Sequence, residues 1–526
     1  MDRVVRGALL AGLLVGASLL LAGSAAAAPP DDPDEDVIGW ENGFWHNESI
    51  QVDQSDGLSD TEKEAYVART MARVEVLRER EFNETVPVTV IPRSEYGNAT
   101  AGNASEDYRA WNNQVWEALF IVGEDEDIED VLQSTATAAT TGAYFFTTAE
   151  IRIITDTPEA PTIGRGTLAH ELVHAQQDQY HDLANVTMGA ETQDTQLSRR
   201  GLFEGEADYI QDLYEARCGV EWECVSSPAT DGSGGADLNL GIYFTLFQPY
   251  SDGPPFVHSI KEDGGWEAVD ASYAAPPNST EQVIHHTDEE PVPLSVEDEA
   301  RDGWNPFPGQ GRNGTDTAGE ASMFSMMWYQ ASEYDAETIA PSTVIDTDVP
   351  YDQYNYESAP TAGWANDAIL PYQKDTVGGP QYGYVWVTEW DSIGDAREFR
   401  EAYLAILSAH DARRLGPRTW VIDAGPFADA FRVERVGTRV TIVNAPTVEH
   451  LTDIRPSIPD VDTTPTTITT AGPSTVAEPG SPMDPEDTPS DDGQLTTAPS
   501  QPGFGPLAAI AGLVGWWAIR SRRRGP

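Results

Sequence analysis

Two histidines four residues apart commit this chain to a helix and to a second element that must meet it. They stand in His170-Glu171-Leu172-Val173-His174, inside an unbroken helical run from Gly166 to Gln177. Positions i and i+4 share one helix face, so both imidazoles can reach one ion. Glu171 lies beside the pair, where its carboxylate can hold a water. Zinc suits two nitrogens, one oxygen and an open fourth position. Such an ion makes its water more acidic, and a neighbouring carboxylate that accepts the proton completes a set suited to peptide hydrolysis.

The oxygen ligand is expected further on, in Leu202-Phe203-Glu204-Gly205-Glu206-Ala207-Asp208-Tyr209. Phe203, Ala207, Ile210 and Tyr214 recur at three- and four-residue spacing, which predicts a second helix. Glu204 and Asp208 lie one turn apart on its other face. One can bind a metal while the other orients a ligand histidine. Glu206 competes for the role but points off that face. The pairing of an HExxH helix with a Glu-x-x-x-Asp helix resembles the gluzincin class of zinc metallopeptidases. The resemblance makes His170, His174 and Glu204 the ligands of one zinc ion, Glu171 the general base and Asp208 the acid that orients a histidine.

Charge narrows the setting. The chain of 526 residues carries 87 acidic and 31 basic side chains, a net charge of −56. Only three are lysines: Lys63, Lys261 and Lys374. Acids spread over a whole chain repel at low salt. They suit a solvated surface in molar salt, where the Debye length is about 3 Å. The pattern is similar to that of extreme halophiles. No basic stripe exists in the folded part, which argues against a nucleic-acid partner. A hydrophobic content of 40% with 14 tryptophans argues for packed cores rather than an acidic disordered chain.

Residues 1–28 read as a secretory leader, with Arg3 and Arg6, an apolar stretch and small residues at its end. In a secreted chain, the two cysteines, Cys218 and Cys224, favour a small-loop disulfide over free thiols. Ser59-Asp60-Thr61-Glu62 is a capping box opening a helix to about Arg80. A strand over 85–91 and a helix over 107–121 follow. Ala143 to Ile154 reads as a hairpin just before the HExxH helix. In gluzincins the strand at that place aligns the substrate backbone. Here it is expected to accept a peptide by β-addition, or to be an ordinary edge. His181, past the helix end, reads as a capping or surface histidine.

His174-Ala175-Gln176-Gln177-Asp178-Gln179 and Ser279-Thr280-Glu281-Gln282-Val283-Ile284-His285 are similar to the HALQDQ-like and STEQxxH-like motifs of a family of secreted prokaryotic HExxH proteins. Gln176 stands where that pattern has leucine. The similarity covers about residues 140–335. His285 is a candidate to stabilise the oxyanion of a tetrahedral intermediate, or else a helix-terminal packing histidine. Met323, Met326, Met327 and Trp328 form a stripe expected in the core of a helix over 321–334.

The expected fold is α+β. A zincin-like domain over 37–335 has helices and a small mixed sheet whose edge strand lies over the active-site helix. An irregular linker or cover spans 336–375, and a small α+β domain spans 376–446. In the latter, strands are expected at 383–388 and 419–423, a helix at 392–407, a helical turn at 427–431 and a hairpin at 432–443. His410 and His450 are expected at the surface. Residues 447–501 are rich in Thr, Pro and Asp and read as a disordered, glycosylated stalk. Residues 502–526 join Pro502-Gly503-Phe504, an apolar run and an arginine cluster. This ending resembles the PGF-type sorting signal of haloarchaeal surface proteins. It implies processing by an archaeosortase-type enzyme and a lipid or membrane anchor at the C-terminus. Glycosylation sequons at Asn47, Asn83, Asn98, Asn103, Asn185 and Asn313 agree with an exposed location; a seventh, Asn278, lies near His285.

Together these features point to a cell-surface zinc metallopeptidase acting on peptide or protein substrates. A non-catalytic metal-binding or structural glycoprotein of the envelope is the alternative.

Overall fold

A computed structural model describes residues 31–100, 104–227, 238–347 and 349–458. The leader, the sequon at Asn103, the side chain of Asn98 and everything beyond residue 458 lie outside the described residues. No helix among the described residues is long and apolar enough to cross a membrane. The fold is mixed α+β.

The helix Asp60–Arg78 begins at the capping box read from the sequence, with Ser59 and Glu62 satisfying each other's backbone amides. It packs against the helices Arg165–His181 and Gln193–Arg217, and a separate three-stranded sheet has Val88–Pro92, Glu150–Thr155 and Gly142–Phe145 in that spatial order. The first pair is parallel and the second antiparallel, so Gly142–Phe145 is an edge strand. Alternate residues Ile151 and Ile153 face the core made by Leu168, Leu172, Leu202 and Ile210. Leu168 and Leu172 come from the helix Arg165–His181, which carries HExxH. Leu202 and Ile210 come from Gln193–Arg217, the longer helix that carries Glu204.

The second half is built on a seven-stranded antiparallel sheet. Its spatial order is 305–306, 364–376, 379–390, 439–445, 430–436, 419–421, 413–414. Ile369, Trp386, Ile442 and Val433 are cross-strand partners and form one row on one face. That row joins the core shared with helices 106–118, 240–251 and 319–334. Leu370, Val385 and Val443 form the next row, on the opposite face, covered by Leu451 and Ile454. The sheet therefore has both faces covered.

Several elements differ from the sequence expectation. Trp364–Thr376 is a strand of 13 residues inside the stretch expected to be irregular cover. The helical turn expected at 427–431 is absent: Phe427 sits in a loop and Phe431 in the strand Ala430–Val436. Residues 447–458, assigned to the stalk, instead close the folded part. Thr447 caps the helix Val448–Ile454, whose buried Leu451 and Ile454 give it an apolar face. His410 is half-buried rather than at the surface, against Phe120, Tyr334 and Phe427. Burial lowers its pKa to about 4. Cys218 and Cys224 are joined by a disulfide.

Buried aspartates tie the two halves together. Asp316 Oδ1 accepts from the amide of Gln193, the first residue of the Glu204 helix, at 2.8 Å. Asp367, in the sheet, accepts from the amides of Ala318 and Gly319 at 3.0 and 2.9 Å, capping the helix Gly319–Tyr334. A carboxylate there satisfies orphan donors and meets the positive helix end. The sheet half thus holds the N-terminus of a helix that belongs to the site.

Candidate metal centre

The HExxH helix and the Glu204 helix cross so that three donor atoms face one point. His170 Nε2 and His174 Nε2 are 3.0 Å apart. Glu204 Oε2 lies 3.1 Å from His174 Nε2 and 3.3 Å from His170 Nε2. All three side chains are buried. A tetrahedral zinc ion with bonds of about 2.0–2.1 Å would set its ligand atoms about 3.3–3.4 Å apart. The donor set fits a metal ion of that size, and its two nitrogens and one oxygen fit the softness of zinc.

Hydrogen bonds at the far side of each ring fix which nitrogen faces the centre. His170 Nδ1 pairs with Asp208 Oδ1 at 2.7 Å. His174 Nδ1 pairs with Gln177 Oε1 at 2.9 Å. A proton on each Nδ1 leaves both Nε2 lone pairs free for a cation. Gln177 is itself held, because its Nε2 donates to the Phe203 carbonyl at 2.9 Å. Tyr250, at the end of the helix Leu240–Ser251, donates its hydroxyl hydrogen bond to Glu204. Neither Gln177 nor Tyr250 was singled out from the sequence. Gln177 lay within the HAQQDQ run, and three-residue spacing after His174 was the available signal. Tyr250 had none, since it arrives from a different helix.

The other residues of that run fasten the helix to its surroundings. Gln176 Nε2 donates to the Arg80 carbonyl at 2.8 Å, which gives a use for glutamine where the similar motif has leucine. Asp178 Oδ2 accepts from the Tyr144 hydroxyl at 2.8 Å, locking the edge strand to the helix. Gln179 Oε1 accepts from the Asn83 amide at 2.7 Å. The HExxH helix thus has a side-chain anchor at each of the four positions from Gln176 to Gln179.

Electrostatics in the group act against burial. Burial alone would lower both histidines. Asp208 and Glu204 more than reverse this for His170, and Glu204 does so for His174, so both are raised. Burial would raise Glu204, but the two histidines bring it well below the usual carboxylate range. A cation at the meeting point would take the place of the protons that this arrangement otherwise attracts.

Glu171 is fully buried, and a backbone hydrogen bond from Tyr144, on the edge strand, reaches its carboxylate. Burial pushes it up, opposed by His170 and His174. The strand Gly142–Phe145 runs directly beside it. A Cβ on Gly142 would lie 3.1 Å from Glu171 Oε1. The other side of that strand pairs with no strand among the described residues. Along the Glu204 helix, one turn before Glu204, Arg200 lines a small cleft with Trp111, Trp116, Gln193 and Leu197.

His285 is not brought to this group. Its Nε2 pairs with Glu320 Oε2 at 2.9 Å, and the charges acting on it most strongly are Glu320, Glu357 and Glu281. It closes a six-residue helix, Thr280–His285, whose start explains the S-T-E-Q run. Ser279 and Gln282 form a capping box, and Thr280 donates to the buried Asp194 at 2.6 Å. The run is helix punctuation, and the packing role expected as the alternative for His285 is the one its contacts describe. Glu206 is likewise engaged elsewhere, with Arg78 and Tyr273. His181 stacks on Tyr273 at the end of the HExxH helix.

Residues 305–455 match a family described as Domain of unknown function (DUF8575). The matched segment begins at the first strand of the seven-stranded sheet and ends one residue after its last helix. It contains Asp316, which caps the Glu204 helix, but none of the metal-facing residues. Neither the curated proteins nor the solved structures gave a match.

Asp208→Asn is expected to weaken metal affinity by about 10–100-fold, because the charge that orients and polarises His170 is removed while the shape stays. Competition against a fluorescent zinc indicator measures it. An unchanged affinity would mean that Asp208 does not support the ligand.

Proposed function

We propose that this chain is a zinc-dependent peptidase with a gluzincin-like site, made of His170, His174 and Glu204 as ligands and Glu171 as the general base. The observation that carries the reading is the convergence of three buried donors within 3.0–3.3 Å, next to the buried carboxylate of Glu171 on the same helix. A purely structural zinc site closes its fourth position with a ligand and has no need of a further acid beside it.

Zinc, when bound, supplies Lewis acidity and a more acidic water. Glu171 takes a proton from the attacking water as its oxygen bonds to the scissile carbonyl carbon. It returns that proton to the amine as the C–N bond breaks. Asp208 and Gln177 hold the two histidines in the tautomer that faces the centre. The unpaired edge of Gly142–Phe145 offers backbone groups to an extended peptide, which would lie across Glu171. The leader and the PGF-type ending point to a working place outside the membrane, tethered at the C-terminus.

The purified chain, in molar potassium chloride with a peptide library, tests this. Cleavage is expected, with one zinc per chain by elemental mass spectrometry. A chelator should abolish cleavage, and one equivalent of zinc should restore it. Bound zinc without cleavage would favour the non-catalytic envelope protein. Cleavage that survives complete metal removal would overturn the proposal.

A further inference from the structure

A second group of acids lies where the helical body meets the seven-stranded sheet, away from the three zinc-facing donors. Glu117 stands on the helix Glu106–Ala118, Glu124 shortly after it, and Asp429 just before the strand Ala430–Val436. One carboxylate oxygen from each lies within 4.8 Å of the others. Glu117 and Asp429 are buried and Glu124 is exposed. The charges that act most strongly on the two buried acids are other carboxylates, Glu124 among them, with no lysine, arginine or histidine.

Two buried amides point to a missing partner. Asn444 is 0% exposed and its side-chain amide donates to Asp429, while its Oδ1 is buried and closes no hydrogen bond. Gln114 donates Nε2 to Glu117 Oε2 at 2.5 Å and leaves its Oε1 buried and unpaired. Leaving such oxygens unsatisfied in the interior is costly. Three carboxylates, open to solvent on the Glu124 side and lined by two buried amides, are a set of hard donors without a positive charge.

We propose that Glu117, Glu124 and Asp429 form a calcium site that pins the sheet to the helical body, with the amides of Gln114 and Asn444 orienting two of the carboxylates. Calcium takes about 6–8 oxygens in irregular geometry, and three carboxylates, mono- or bidentate, with water at the exposed side can supply them. Magnesium uses fewer carboxylates and keeps most of its water. An all-oxygen set does not suit zinc. The site spans a seam that the backbone already marks: the Glu124 amide donates to the Pro426 carbonyl at 2.9 Å. The same helix, Glu106–Ala118, supplies Trp111 and Trp116 to the cleft beside the zinc-facing group.

The alternative is that Glu117 and Asp429 share a proton and need no cation. Burial and their mutual repulsion push both upward, so that state is chemically sound. The experiment separates the two. The full chain is stripped of metals, given one equivalent of zinc, and titrated with terbium in molar potassium chloride while tyrosine is excited. Tyr384 and Tyr403 lie buried within the field of Glu117 and can sensitise the ion. One saturable terbium site per chain, displaced by calcium, is expected, together with a rise in melting temperature on adding calcium. Glu124→Gln, a change at an exposed position, should weaken calcium at least tenfold with zinc content unchanged. Glu267→Gln, exposed on the helix Gly253–Ser272, should leave it as it was. The proposal fails if no one-to-one site appears, if Glu124→Gln binds like the parent, or if Asp429→Asn is more stable than the parent and the parent ignores calcium.

Discussion

Glu171→Gln is expected to keep one zinc per chain and to lower the cleavage rate by about 10²–10⁴-fold, the usual contribution of a positioned general base. The substitution preserves volume at a fully buried position and removes only the capacity to accept a proton. The amide oxygen of glutamine can still accept the backbone hydrogen bond that Tyr144 gives Glu171, so that structural contact is kept. Elemental analysis and the rate on the best library peptide decide the matter together. A variant that cleaves at the parental rate would remove Glu171 from the chemistry. A variant that loses zinc as well would mean that its carboxylate supports the ligands rather than the reaction.

Gly205→Ala is expected to destabilise the protein by about 3 kcal/mol or more, at the upper end for overpacking. Gly205 sits between Glu204 and Glu206, where the helix Gln193–Arg217 touches the start of the helix Gly253–Ser272. A Cβ there would lie 2.3 Å from the carbonyl carbon and 2.6 Å from the Cα of Gly253. These are backbone atoms that cannot rotate away, so the helices would have to separate. Tyr250 precedes that contact by three residues, and its hydrogen bond to Glu204 would be pulled with it. Gly166→Ala is the contrast. Its Cβ would meet only side-chain atoms of Gln211 and Glu215 at 3.4 Å or more, and a gain of about 0.4–1 kcal/mol is expected from reduced freedom of the unfolded chain. Thermal or denaturant unfolding of the two variants measures both signs. A Gly205→Ala protein as stable as the parent would mean that the close crossing is not what positions Glu204.

The site was legible where its geometry follows from one helix at a time. His170 and His174 share a face by spacing alone, and Glu204 and Asp208 repeat the same arithmetic on a later helix. What could not be read were groups that come from elsewhere in the chain to serve a helix. Asp367 breaks the alternation of its strand because it is buried as the cap of another helix and also accepts from Trp364 and Trp386. A buried acid in a passage rich in proline and tyrosine reads as loop, and a strand was missed. Phe427 and Phe431 have helical spacing but converge from a loop and a strand on Phe120, with ring centres 4.9 and 5.6 Å away. The periodicity was real contact without a helix behind it. His285 shows the same limit from the other side: proximity in sequence to a familiar motif gave it a role, and Glu320 holds it in another.

The helix Gly319–Tyr334 belongs to the segment with a counterpart family, yet its apolar surface is not closed by that segment alone. Trp328 packs on Phe244 with ring centres 4.2 Å apart, and Phe244 comes from the helix Leu240–Ser251, outside the match. A chain that inherited only residues 305–455 would arrive with an uncovered oily flank. The helix that supplies this aromatic lid is also the one that delivers Tyr250 to Glu204.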